Sequence, residues 1–132
     1  MSQNTVRKEC RKFEYRRNIR MPGRTQYILV DPQNWEILEP VRRESSKTGA
    51  HGEDIYCLDE ATWSRVLVVR LARSNSGKLR YEVSSPPGLE EYASEIEEML
   101  MLCSDFEDMV EIVEKYVSVK RLLNKDECEI EE

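Results

Sequence analysis

Between Leu89 and Glu132 the chain has neither glycine nor proline, and its apolar residues recur three and four positions apart. Leu89, Tyr92, Ile96, Met99, Cys103, Phe106, Val110, Val113 and Val117 keep that spacing without a slip. Residues so spaced share one face of an α-helix, so the last third of the chain is predicted to be helical. A second row, Met109, Ile112, Tyr116, Val119 and Leu123, widens the apolar face of the later half beyond the narrow seam of a coiled-coil dimer. Ser104-Asp105-Phe106-Glu107 has the form of a capping box. Two helices, broken near Ser104 and packed on each other and on the preceding segment, are therefore expected over 88–124. Asp126 to Glu132 is expected to be an unstructured acidic tail.

Ser85-Pro86-Pro87-Gly88 separates this region from one with a different period. Tyr27-Ile28-Leu29-Val30 is a run of strand formers, and Asp31-Pro32-Gln33-Asn34 carries the residues of a type I turn. Trp35 to Glu39 returns as the second arm of a hairpin and stops at Pro40. From Arg42 to Asp54 the chain is polar and holds two glycines, which predicts a loop. Ile55 to Leu58 reads as a strand, and Asp59 as the cap of a short helical turn through Trp63. The β-branched density of Arg65 to Arg73 predicts a central strand buried on both faces. Ser74 to Lys78 reads as a turn, and Leu79, Tyr81 and Val83 alternate with Arg80 and Glu82. The expected fold class is α+β: a small antiparallel sheet of four to five strands over 25–84, then two amphipathic helices.

At 132 residues, 39% hydrophobic and 35% charged, the chain suits one domain with a heavily solvated surface. No apolar run is long enough for a membrane span, and no partner in a membrane is expected. Cys10, Cys57, Cys103 and Cys128 lie far apart with one histidine in the chain, which is not a zinc pattern. Reduced thiols and a cytoplasmic or nuclear location are expected, with Cys57 as a small core residue and no cofactor.

Charge is strongly segregated within the net −6. Residues 1–24 carry eight Lys/Arg against two acids, and residues 85–132 carry four against fifteen. The first segment reads as a basic arm. Lys8, Lys12, Arg16 and Arg20 recur every four positions, which on a helix makes one cationic ridge. Arg7, Arg11, Arg17 and Arg24 add to it, and Pro22-Gly23 ends it. Clustered Lys/Arg neutralise phosphates and release counterions, while Phe13 and Tyr15 are placed to stack on bases. The arm is thus expected to contact nucleic acid, RNA foremost, or another polyanion such as an acidic protein. At the other end Glu91, Glu95 and Glu98, then Glu107, Glu111 and Glu114, are expected to line exposed helix faces. Such faces can imitate a phosphate backbone, dock a basic protein or, with the apolar stripe, pair two copies. His51, Glu53 and Asp54 form the best cluster for metal-dependent hydrolysis, although adjacent acids on a glycine loop arise often by chance. No phosphate-binding glycine loop, nucleophile elbow or HExxH pattern is present. A non-catalytic binding protein or complex subunit is the expected function.

Overall fold

The computed structural model describes residues 7–16, 27–45, 51–73, 79–103 and 106–130. The elements in chain order are β1 (Lys8–Arg16), β2 (Tyr27–Asp31), β3 (Glu36–Leu38), β4 (Arg42–Ser45), β5 (His51–Asp59), α1 (Glu60–Trp63), β6 (Leu67–Arg73), β7 (Leu79–Ser84), α2 (Glu90–Met99) and α3 (Phe106–Ile130). A 3₁₀ turn at Leu100–Leu102 links the last two helices. The fold is α+β with antiparallel strands, but the strands form two sheets rather than one. One is four-stranded in the order β3-β2-β6-β7, and the other three-stranded in the order β1-β5-β4.

The four-stranded sheet is the middle of three layers. Ile28 and Val30 of β2 and Leu67, Val69 and Leu71 of β6 point to the helices, where they meet Ile96, Leu100, Met109, Val113 and Val117. The alternate residues, Leu29 and Val68 among them, point the other way and meet Tyr56, Trp63 and Phe13 of the three-stranded layer and α1. Burial on both faces is what the dense β-branched run of β6 requires. Leu29, Val30, Leu67 and Val69 are fully buried. Three layers put the acidic helices and the strand from the basic arm on opposite sides of the molecule.

Two local structures follow the sequence closely. Asp59 caps α1, its carboxylate accepting the Thr62 N–H at 2.7 Å. Gly88 supplies the positive φ of 93° that lets the chain turn out of β7 into α2. Trp35 ends the β2–β3 turn at φ 51°, a left-handed conformation that a bulky side chain rarely adopts. Its indole is buried, edge-on to Tyr92 and Tyr116 at centroid distances of 5.0 and 5.8 Å.

Four expectations are corrected. Residues 8–16 are a strand, not part of a helix. Like charges four apart repel on a helix, whereas pairing with β5 separates neighbours onto two faces. The segment expected as a loop over 42–54 contributes β4 and the first half of β5, because two adjacent strands satisfy its backbone even where its side chains are polar. The acidic tail does not begin at Asp126, since α3 continues to Ile130. Cys57 is not a core residue: β1 and β5 place it directly opposite Cys10, and the two are joined as a disulfide. The capping box at Ser104-Asp105 and the turn at Ser74 to Lys78 lie outside the described residues.

The apolar stripe is kept over most of its length. Ile96, Val113, Val117, Met109 and Tyr116 are buried, whereas Met99, Val119 and Leu123 are exposed. Among the described residues no helix is long and apolar enough to cross a membrane.

Candidate functional site

Strand β1 is one edge of the three-stranded sheet, and among the described residues no strand pairs with its outer side. Alternation sends Lys8, Cys10, Lys12 and Glu14 to the outer face and Glu9, Arg11 and Phe13 to the face that meets the middle layer. Phe13 packs against Tyr27, Tyr56 and Trp63, with ring centroids 5.2, 5.5 and 6.2 Å away. It is the anchor of the strand, half-buried with its ring packed inward on the core aromatics. Six other β1 residues, Lys8 to Lys12 and Glu14, are exposed.

Where β1 passes α1, the two elements frame a groove of about 510 Å³ lined by Arg7, Lys8, Glu9, Arg11, Glu60, Trp63 and Ser64. The Arg11 guanidinium lies 4.2 Å from the centre of the Trp63 ring. This cation–π contact places a cation at the groove floor. Trp63 is itself fixed, because its indole Nε1 donates to the Glu9 carbonyl at 2.8 Å. Arg11 and Trp63 also wall a second depression of about 290 Å³, completed by Phe13, Val66, Val68, Ser84, Ser85 and Pro86. The two run on either side of one Arg–Trp pair. Trp63 had no sequence signal beyond packing; only the fold of α1 against β1 gives it this place.

The electrostatics are local. Arg11 is paired to Glu9 at 2.9 Å, and this hydrogen bond holds the Glu9 carboxyl below its ordinary pKa. Lys12 lies 3.6 Å from Glu53, and Arg43 lies 3.8 Å from Glu39. The Arg11–Glu9 and Arg43–Glu39 pairs are exposed and the Lys12–Glu53 pair partly so, and exposed pairs contribute roughly 0–1 kcal/mol, so their cations remain exchangeable for other anions. Among the described residues no ion pair joins β1 to α2 or α3. On the outer face the register sets Lys12, Ile55 and Arg42 in one cross-strand row, bringing a β4 cation beside the β1 cations. That neighbour was invisible in the sequence, where 30 positions separate the two charges.

Of the arm residues expected to bind polyanions, Arg7, Lys8, Arg11 and Lys12 sit together at this edge. The backbone of Arg16 ends β1 opposite His51. Arg17, Arg20 and Arg24 lie outside the described residues. On the opposite side of the molecule, Glu91, Glu95 and Glu98 line a depression of about 490 Å³ with Ser94, Glu97 and Met101. Glu95 is engaged internally: it accepts from the Tyr116 hydroxyl and lies 3.6 Å from Lys120. Glu107, Glu111 and Glu114 are exposed along α3.

The His51, Glu53 and Asp54 cluster is divided by its own backbone. In β5, Glu53 occupies an outer-face position and Asp54 faces inward, while the His51 side chain lies outside the described residues. Asp54 is wholly buried, and no described hydrogen-bond donor reaches either of its oxygens. Among the described residues no three His, Cys, Asp or Glu side chains converge as metal ligands. Compared with known proteins, the chain matches no family model, no curated protein and no solved structure.

Proposed function

We propose that the protein is a non-catalytic binding module whose N-terminal strand contacts nucleic acid, single-stranded RNA in the first place, or a chemically similar polyanion. The observation that carries this reading is Arg11 lying 4.2 Å over Trp63 in a groove also lined by Arg7 and Lys8. A guanidinium held over an aromatic ring offers both a phosphate partner and a group on which a base can stack. The strand is an edge, Arg11 and Lys12 are in exchangeable pairs, and the acidic helices lie on the far side of the middle sheet. An anionic strand can therefore approach β1 without facing α2 and α3.

The test is fluorescence anisotropy of labelled oligonucleotides over a salt series. Contacts from Arg7, Lys8, Arg11, Lys12 and Arg42 to about five phosphates give a slope of log K against log salt near −3.5 on single strands and −4.5 on duplex. A flat response, or unchanged affinity after deletion of residues 1–24, overturns the reading.

A second reading puts a basic protein on α2 and the 3₁₀ turn after it, where Met101 is 77% exposed beside Glu91, Glu97 and Glu98. Under it the protein is an adaptor or inhibitor, and a cationic partner is captured in competition with nucleic acid rather than through it.

A further inference from the structure

One covalent bond fastens β1 to its neighbour β5. Cys10 and Cys57 are register partners in the β1–β5 pair, joined across the outer face of the sheet. Cys10 is exposed and Cys57 half-buried. The rest of what holds β1 is unevenly distributed. Phe13 is the single side chain of residues 8–14 that is not exposed. From Lys8 to Lys12 the strand buries no apolar side chain, and it is held by backbone pairing, by the Trp63–Glu9 hydrogen bond, by the Arg11–Trp63 and Lys12–Glu53 contacts and by the disulfide. That half of the strand carries Lys8, Arg11 and Lys12. Edge-strand segments without buried apolar contacts open most easily.

We propose that the Cys10–Cys57 bond is a thiol-sensitive latch that holds β1, and with it the anion groove, in place. The proposal rests on the polyanion reading given above. In the opening reaction a low-molecular-weight thiolate attacks the accessible Cys10 sulfur and forms a mixed disulfide with it. The Cys10–Cys57 bond breaks, and Cys57 leaves as a thiolate and takes a proton. A second thiol then attacks the mixed disulfide, giving the Cys10 thiol and the oxidised small disulfide. The protein gains two electrons and two protons, and two thiols are oxidised to one disulfide.

The surroundings suit this exchange. Lys8 and Lys12 stand on the same face as Cys10, one on each side of it along the strand. These two cations, although Asp59 and Glu53 share the face with them, can pair with the carboxylates of an anionic thiol such as glutathione as it approaches. Opening removes the crosslink from the half of β1 that walls the groove, so Arg11 is no longer pre-positioned over Trp63, which stays in the core. A binding surface that must be ordered on binding binds more weakly than one already ordered.

The experiment compares the full-length oxidised protein with the same protein after incubation with excess reduced glutathione. Hydrogen exchange over residues 7–16 is expected to accelerate about tenfold or more on reduction. The affinity for a labelled single-stranded oligonucleotide is expected to fall by about tenfold in parallel. The Cys10→Ser/Cys57→Ser double variant should match the reduced protein in both measurements and no longer respond to glutathione. Unchanged exchange at 7–16 on reduction overturns the latch, whatever the double variant does. Faster exchange with unchanged oligonucleotide affinity overturns its control over binding. If the oxidised protein binds no oligonucleotide, the polyanion reading falls and the control of binding falls with it, whereas the exchange comparison still decides whether the bond holds β1.

Discussion

Arg121 donates from both Nε and Nη2 to the backbone carbonyl of Trp35, at 3.0 and 2.7 Å, across 86 residues of sequence. The receiving residue is the one non-glycine described with positive φ. A left-handed conformation costs about 1–2 kcal/mol at a residue with a Cβ. Here two features offset it, the burial of the indole against Tyr92 and Tyr116 and the fork of Arg121 on the carbonyl. Arg121→Ala removes a charged donor pair from a partly buried acceptor and should destabilise the fold by about 1–2 kcal/mol. Urea unfolding followed by the near-ultraviolet signal of the tryptophans checks this, and Arg121→Lys should recover part of the loss.

A second long-range tie joins the end of β2 to the turn after α1. Arg65 meets the buried Asp31 with Nε to Oδ1 at 2.8 Å and Nη2 to Oδ2 at 3.2 Å. The pairing raises the Arg65 pKa above its ordinary value. Arg65→Ala leaves a carboxylate that is 3% exposed without its cation, and removing one partner of a buried pair costs about 3 kcal/mol. The double change Arg65→Leu/Asp31→Asn should cost less than the single one, and chemical denaturation of the two variants provides the comparison.

Two tyrosines make alkaline stability a readout of packing. Burial, reinforced by Asp54, raises the Tyr56 phenol well above its ordinary pKa, and burial with the Glu95 hydrogen bond does the same for Tyr116. In the unfolded chain both phenols ionise near pH 10. The folded state keeps its protons to higher pH, so their contribution is complete below pH ~10 and is lost as pH rises beyond it. The urea midpoint should therefore drop between about pH 9 and pH 11, and Tyr116→Phe should flatten that drop while lowering stability at neutral pH by about 1 kcal/mol. An identical pH profile for wild type and variant would contradict the burial of this phenol.

The groove makes opposite predictions for neighbouring side chains. Arg11→Ala should weaken oligonucleotide binding and reduce the magnitude of the salt slope by about one. Glu9→Gln should strengthen binding, because Glu9 competes for the Arg11 guanidinium at 2.9 Å. Lys115→Ala, an exposed cation on α3 across the molecule, should leave affinity unchanged. Anisotropy titrations of the three variants at one salt concentration separate a located site from general charge attraction.

Much of the fold was legible because it rests on local period. The 3,4 spacing of Ile96, Val113 and Val117, the Asp59 cap and the β-branched run around Val69 each report their own backbone state without distant partners. What was hidden depends on pairing. Nothing in Lys8 to Arg16 tells the sequence reader that β5 lies beside it, and a four-residue charge repeat mimics a helix when read alone. With the register known, the same residues divide into an outer cationic row and an inward face led by Phe13. The disulfide and the Arg11–Trp63 contact were unreadable for the same reason, since each joins residues some fifty positions apart. The polar loop expected over 42–54 shows the reverse limit: a central strand between two partners needs few apolar residues when its outer face meets water.

Whether β1 is the binding edge is tested most directly by nitrogen–proton correlation spectra recorded while single-stranded RNA is added to the oxidised protein. The Trp63 indole N–H, bonded to the Glu9 carbonyl, reports from the floor of the groove. Its signal and the amides of residues 7–13 should shift first and together, with those of α2 and the second half of α3 unmoved. Shifts centred on Glu91, Glu98 and Met101, or none at RNA concentrations that saturate anisotropy, would contradict a site at this strand.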